Sequence, residues 1–162
     1  MYNKLYNLLF IVLIVFGFNQ ISAAPVLVDN GDGTVTDKSK GLIWQKCSAG
    51  QNNDASCSGT ANTYWLQNTG ALSYCNGLYL AGISEWRVPN VDELKSILDR
   101  TKVSGPMIDD SFFPATVADK YITSTTYYPD TMSIWAVSFF DGSASSIARS
   151  VSRYVRCVAT VP

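Results

Sequence analysis

The chain has 162 residues, 12 Lys and Arg against 13 Asp and Glu, and no His. That balance lacks the basic footprint of a nucleic-acid partner. The absence of His removes the commonest general base and the imidazole ligands usual at zinc sites.

Residues 1–23 read as a secretory signal peptide: Lys4, an apolar run from Leu8 to Phe18, then the small residues Ser22 and Ala23. The run is too short to span a bilayer, which takes roughly 20 residues. Cleavage after Ala23 spares Pro25 from becoming the first residue. An uncleaved anchor is the rival reading. No Cys stands at the exit, which argues against a lipoprotein. Residues 24–162 then form one domain. Without Lys4 the charges are 11 basic against 13 acidic.

All four cysteines, Cys47, Cys57, Cys75 and Cys157, lie in that domain, and an even count in an exported chain reads as disulfides. Sequence alone does not choose among the three pairings. Proximity favours Cys47–Cys57, across a loop rich in Gly, Asn and Ser, and leaves Cys75–Cys157. Zinc is the rival, but the paired short knuckles of a zinc site are missing.

Val26–Val28 and Thr34–Thr36 flank Asp29-Asn30-Gly31-Asp32-Gly33 and read as strand, turn, strand. Asp29, Asp32 and Asp37 invite a calcium reading. Gly31 stands where an EF-hand ligand is needed, however, and no Glu closes the loop. Leu42–Gln45 is a third strand, followed by a long polar loop over 46–63. From Thr69 the spacing of Ala71, Leu72, Cys75, Leu78 and Tyr79 predicts an amphipathic helix stopped by Gly82. Asn90 with Glu93 predicts a capping box, opening a helix that buries Leu94, Ile97 and Leu98 and ends near Arg100. Tyr121–Thr125, Ile134–Phe139, Ala144–Ala148 and Tyr154–Val158 predict strands, with Asp141-Gly142 as a hairpin turn. The sum is α+β: two helices beside a twisted antiparallel sheet.

In order, Asp32-Gly33-Thr34-Val35-Thr36-Asp37, Gly41-Leu42-Ile43-Trp44-Gln45, Tyr74-Cys75-Asn76, Trp86-Arg87-Val88-Pro89-Asn90, Phe113-Pro114 and Val155-Arg156-Cys157-Val158 resemble the C-terminal domain of the Legionella collagen-like protein, from about Val28 to Val158. The resemblance implies a C-type-lectin-like fold and a disulfide from the first helix to the last strand, agreeing with Cys75–Cys157. It implies binding rather than catalysis, since the named member is an adhesin domain that recognises sulfated glycosaminoglycans. Two features depart from it. The chain has no collagen-like repeats, which leaves its oligomeric state open, a homo-oligomer included. Its slight negative charge suits sulfated polymers poorly. Calcium-dependent sugar binding does not carry over, because Val88-Pro89-Asn90 lacks the acid and there is no Trp-Asn-Asp.

Nothing reads as a positioned catalytic group, and a hydrolase using a carboxylate pair that no motif identifies stands as the last alternative. The cysteines have partners, no Ser sits in a Gly-x-Ser-x-Gly context, and Asp109-Asp110 follows Gly105-Pro106 in a solvated turn. Trp44 and Trp86 read as core, and Arg87 as the partner of a carboxylate or a cap. The candidate ligand-binding residues are the loop aromatics Tyr127 and Tyr128 with Asp130, the next hairpin's Asp141 and Ser143, and the basic Arg149 and Arg153. Exposed rigid rings anchor partners at low entropic cost. The expected function is an exported bacterial binding module, recognising a glycan or surface polymer without cofactor, metal or bond breaking. The alternative is a subunit recognising an envelope protein in a pilus-like complex. Periplasm, cell surface and medium all fit.

Overall fold

The computed structural model describes residues 25–67 and 69–161; the expected signal peptide lies outside them. The first sheet is antiparallel, with β1 (Leu27–Asp29), β2 (Thr34–Asp37), β3 (Leu42–Gln45) and β9 (Val158–Thr160) in that order. The second holds β4 (Thr63–Tyr64), β8 (Arg153–Tyr154), β5 (Lys120–Thr126), β6 (Ser133–Ser138) and β7 (Ala144–Ala148), in the order β4-β8-β5-β6-β7. The single antiparallel sheet expected from sequence is therefore two. The second is mixed, because β8 meets β5 in parallel at Tyr121 and Tyr154.

The first hairpin forms because Gly31 and Gly33 both adopt positive φ. Gly33 is doubly constrained: a Cβ there would lie 3.1 Å from that of Asn53, so only glycine lets the long loop approach the turn. That loop is closed by the Cys47–Cys57 disulfide.

Both helices are shorter than their apolar spacing predicts. α1 (Ala71–Asn76) ends at Gly77, not at Gly82. Leu78 still packs against the core, but from a turn, and Tyr79 is exposed. Gly82 belongs instead to a two-residue turn with Ala81, both at positive φ, in which Leu80 and Ile83 exchange backbone hydrogen bonds of 3.2 and 2.9 Å. α2 (Val91–Ser96) stops short of Arg100 and carries the capping box: the Asn90 side chain accepts from Glu93 N at 2.8 Å, and Asn90 N donates to the Glu93 carboxylate at 2.8 Å. The same carboxylate takes two hydrogen bonds from Arg87, at 2.8 and 2.7 Å. Burial pushes the Glu93 carboxyl up, but the Arg87 and Asn90 donors outweigh it and hold it below its ordinary value.

The core has two clusters. One gathers Trp86, Ile122, Ile134, Ala136 and Val155 around the Cys75–Cys157 disulfide, and the other gathers Trp44, Leu94, Ile97, Phe113, Tyr121 and Phe139. The five-stranded sheet lies between them, because paired residues share a face. Tyr121 and Val137 face the second cluster, and Ile122 and Ala136 the first.

The strand expected over Tyr154–Val158 is also two. β8 ends at Tyr154 in one sheet and β9 begins at Val158 in the other, so Val155-Arg156-Cys157 crosses between them. The crossing is bonded on either side of Arg156: Ala49 N donates to Val155 O and Gln45 N to Cys157 O, each at 2.9 Å. Arg156 is fully buried. Its guanidinium donates to Lys46 O at 2.5 Å and Thr116 Oγ1 at 2.7 Å, and lies 4.6 Å from the centre of the Phe113 ring. Burial pushes the guanidinium pKa down. The carbonyl, hydroxyl and aromatic partners take the place of a counter-ion.

Candidate functional site

β5, β6 and β7 form a meander, so its two connecting loops lie at opposite ends. The β5–β6 loop carries Tyr127, Tyr128 and Asp130. The β6–β7 hairpin carries Asp141 and Ser143. Between them runs β6, six residues or roughly 20 Å. The patch drawn from sequence is thereby split: Asp141 and Ser143 do not join the tyrosines within one chain. Arg153 does not join them either. It sits on β8 opposite Tyr64 and donates to Ser152 O at 2.8 Å. β8 meets β5 at Tyr121, the far end of that strand.

Arg149 does join them. It follows β7, and its backbone N–H donates to Met132 O at 2.9 Å. Its side chain reaches Thr131 O at 2.9 Å and Thr126 Oγ1 at 2.5 Å. One guanidinium thus ties the end of β5 to the tip of the loop. Inside the loop, Asp130 accepts from Met132 N at 3.0 Å and Ser133 Oγ at 2.7 Å. The Ser133 hydroxyl, then the Met132 N–H, hold its carboxyl below the ordinary range. Tyr127 packs edge-on against Trp135 with ring centres 5.2 Å apart. Tyr128 is 91% exposed and Met132 70%. The loop is therefore braced from within and presents one free aromatic ring.

Arg149 also lines a shallow cleft of about 410 Å³ with Leu66, Gln67, Thr69 and Leu72. Leu66 N donates to Arg149 O at 3.2 Å, tying the cleft to the same strand end. Leu66 and Gln67 close the polar stretch before α1, and no motif marked them in the sequence. Trp65, the neighbouring ring, is 41% exposed. The arrangement offers flat apolar rings, an amide, hydroxyls and one cation.

A larger cleft of about 480 Å³ lies elsewhere, between Pro25, Leu27 and the segment after α2, with Ile97, Leu98 and Phe112 as its apolar floor. Its carboxylates are committed to turns, Asp99 to the N–H and hydroxyl of Thr101 and Asp109 to those of Ser111. Lys95 and Arg100 also line it, but among the described residues no exposed aromatic ring stands beside it as Tyr128 and Trp65 stand near the smaller cleft.

The aspartates that suggested calcium are likewise engaged. Asp29 accepts from Gly31 N at 3.0 Å and from Lys46 Nζ at 2.7 Å, and the Lys46 bond leads the fall of its pKa. Asp32 accepts from Thr34, and Asp37 from Ser39. Asp110 meets Lys102 at 2.5 Å. Among the described residues no helix is long and apolar enough to cross a membrane.

The two disulfides belong to an oxidising compartment outside the cytoplasm. Comparison with curated proteins returned no match. The model of the Lcl C-terminal domain matches residues 33–159, which takes in β2 to β8, β9 but for its last residue, both helices and all four cysteines, and the chain belongs to that family.

Proposed function

We propose that this is an exported, lectin-like recognition domain whose binding face is the end of the five-stranded sheet formed by Tyr127, Tyr128 and Asp130, Arg149 and the cleft of Leu66, Gln67, Thr69 and Leu72. The observation that carries this reading is the placement of Arg149. It braces the loop that displays Tyr128 and at the same time lines the adjoining cleft. Preorganised rings and polar groups bind with little ordering cost. The ligand class is a glycan or surface polymer, held by stacking of a sugar face on Tyr128 and by hydrogen bonds from the amide, hydroxyl and guanidinium groups beside it. No bond is broken, and no metal takes part.

The test is binding of the purified mature domain to a broad glycan array that includes sulfated polymers, with and without a calcium chelator. The expected result is a hit that survives chelation and is lost in Tyr128→Ala at unchanged thermal stability. A hit abolished by chelation would overturn the metal-free reading. A blank array would overturn the glycan reading and leave recognition of an envelope protein.

A further inference from the structure

Arg149 braces its loop with only one edge of its guanidinium. Nε donates to Thr131 O at 2.9 Å and Nη2 to Thr126 Oγ1 at 2.5 Å. Nε and Nη2 share the side edge of that planar group. The end edge carries one N–H from Nη1 and one from Nη2, side by side and parallel. Among the described residues nothing accepts from Nη1, and Arg149 forms no ion pair. Asp130, one residue before the Thr131 carbonyl, is taken up by Met132 N and Ser133 Oγ. The two bonds of the side edge fix the plane, so the end edge is held ready at little cost in side-chain freedom.

The same side chain lines the cleft of about 410 Å³, a size within the roughly 300–1,000 Å³ of small-ligand sites. Leu66 and Leu72 supply apolar wall, Gln67 an amide and Thr69 a hydroxyl, and no Asp or Glu is among the described residues that line it. Two other clefts mix their charges. In the larger one Lys95 and Arg100 share the lining with Asp99 and Asp109. In the notch beside it Lys40, Lys95 and Arg100 share theirs with Asp92, which Lys95 meets at 3.6 Å. Of the three, the Arg149 cleft alone sets a cation among neutral groups.

We infer that this cleft takes a carboxylate-bearing sugar, a uronic or sialic acid, whose carboxylate accepts both N–H groups of the free Arg149 edge while its ring lies against Leu66 and Leu72. The assignment rests on the proposed binding face and narrows its ligand class. A carboxylate is planar, and its two oxygens match a guanidinium edge in two parallel charge-assisted bonds. Gln67 and Thr69 remain for the hydroxyls of the ring. One fixed cation suits one negative charge. Densely sulfated polymers are held by clusters of Lys and Arg, and this cleft has no second cation among its described residues.

The test titrates the mature domain with probes that differ by one group: galacturonate oligomers and sialyllactose, each beside its carboxyl-reduced form, and dextran sulfate. A carboxylated sugar is expected to bind roughly tenfold or more tightly than its reduced form, and more tightly than dextran sulfate. Arg149→Gln removes the fork and is expected to bring that ratio near one. Because it also removes the brace of the loop, Gln67→Glu is the second variant. It leaves the bonds to Thr126 and Thr131 in place and sets an anion in the cleft. It is expected to weaken the carboxylated sugar roughly tenfold and leave the reduced form as before. Equal binding of a sugar and its reduced form overturns the inference and leaves the binding face standing. Tighter binding of dextran sulfate overturns it too, as does a ratio that neither variant changes, or a blank with every carboxylated probe. A neutral glycan hit that Tyr128→Ala abolishes would still uphold the face. Full carboxylate binding in Tyr128→Ala, with the ratio lost in Arg149→Gln, would refute that face and keep the carboxylate site.

Discussion

Arg156 and Arg149 use the same bonding chemistry in opposite surroundings. Each donates to a backbone carbonyl and a threonine hydroxyl, and neither forms an ion pair among the described residues. Arg156 does this in the interior, where the chain crosses from one sheet to the other. Arg149 does it at the surface, just after β7, where it braces the loop that displays Tyr128. A buried guanidinium whose partners are all fixed can only hold the scaffold together. A half-exposed one holds its loop and still has a face toward solvent. The difference separates the part of the molecule that must not change from the part that can meet a ligand.

The comparison can be broken first at the scaffold. The Cys75–Cys157 disulfide anchors the same crossing and closes 82 residues, so Cys157→Ser is expected to cost about 4–5 kcal/mol. The Cys47–Cys57 bridge closes 10, and Cys57→Ser should cost about 2.5–3 kcal/mol. Urea unfolding of the two variants would show whether the longer loop dominates. Arg156→Met keeps the volume but leaves Lys46 O and the Thr116 hydroxyl without their donor. It should cost about 2–4 kcal/mol, read as a lower denaturation midpoint with ligand binding retained in the folded fraction.

At the surface the order of effects reverses. Arg149→Ala should lower stability by no more than about 1 kcal/mol, yet speed amide exchange across 127–133 and weaken ligand binding. Equal losses of stability in Arg149→Ala and Arg156→Met would erase the contrast. The smallest effect belongs to the Arg87–Glu93 pair. Glu93 has a folded-state pKa below its ordinary 4.5. Its contribution is therefore present above that value and is lost as pH falls through the lowered one. Thermal melts from neutral to acid pH should show a decline in the wild type that Arg87→Ala reduces.

Much of the scaffold was legible because its signals are local. Short β-branched and apolar runs beside turn residues marked β2, β3, β5, β6 and β7, and the Asn90–Glu93 spacing marked the cap of α2. The helices read too long because Leu78 reaches the core from a turn while keeping helical spacing. The last strand read as one because an apolar run does not show that its middle changes sheets. The family motif already gave Arg156 a structural role beside Cys157, but its partners Lys46, Thr116 and Phe113 are distant in sequence and carried no signal. The patch read from loops was half assembled: Arg149 joined Tyr127, Tyr128 and Asp130, while Asp141 and Ser143 fell at the other end. The alternation of loops in a meander, available from the order of strands, would have separated them. The cleft residues Leu66 and Gln67 carried no signal, since their role comes from where Arg149 O meets the Leu66 N–H.

The most direct test is a map of backbone amide perturbations in the mature domain, titrated with the strongest glycan recovered from the array. Changes concentrated at 127–133, 65–72 and Arg149, with the Val155–Cys157 crossing silent, are the predicted result. Changes confined to the cleft of Pro25, Ile97, Leu98 and Phe112 would contradict it and move the binding face to the other side of the molecule.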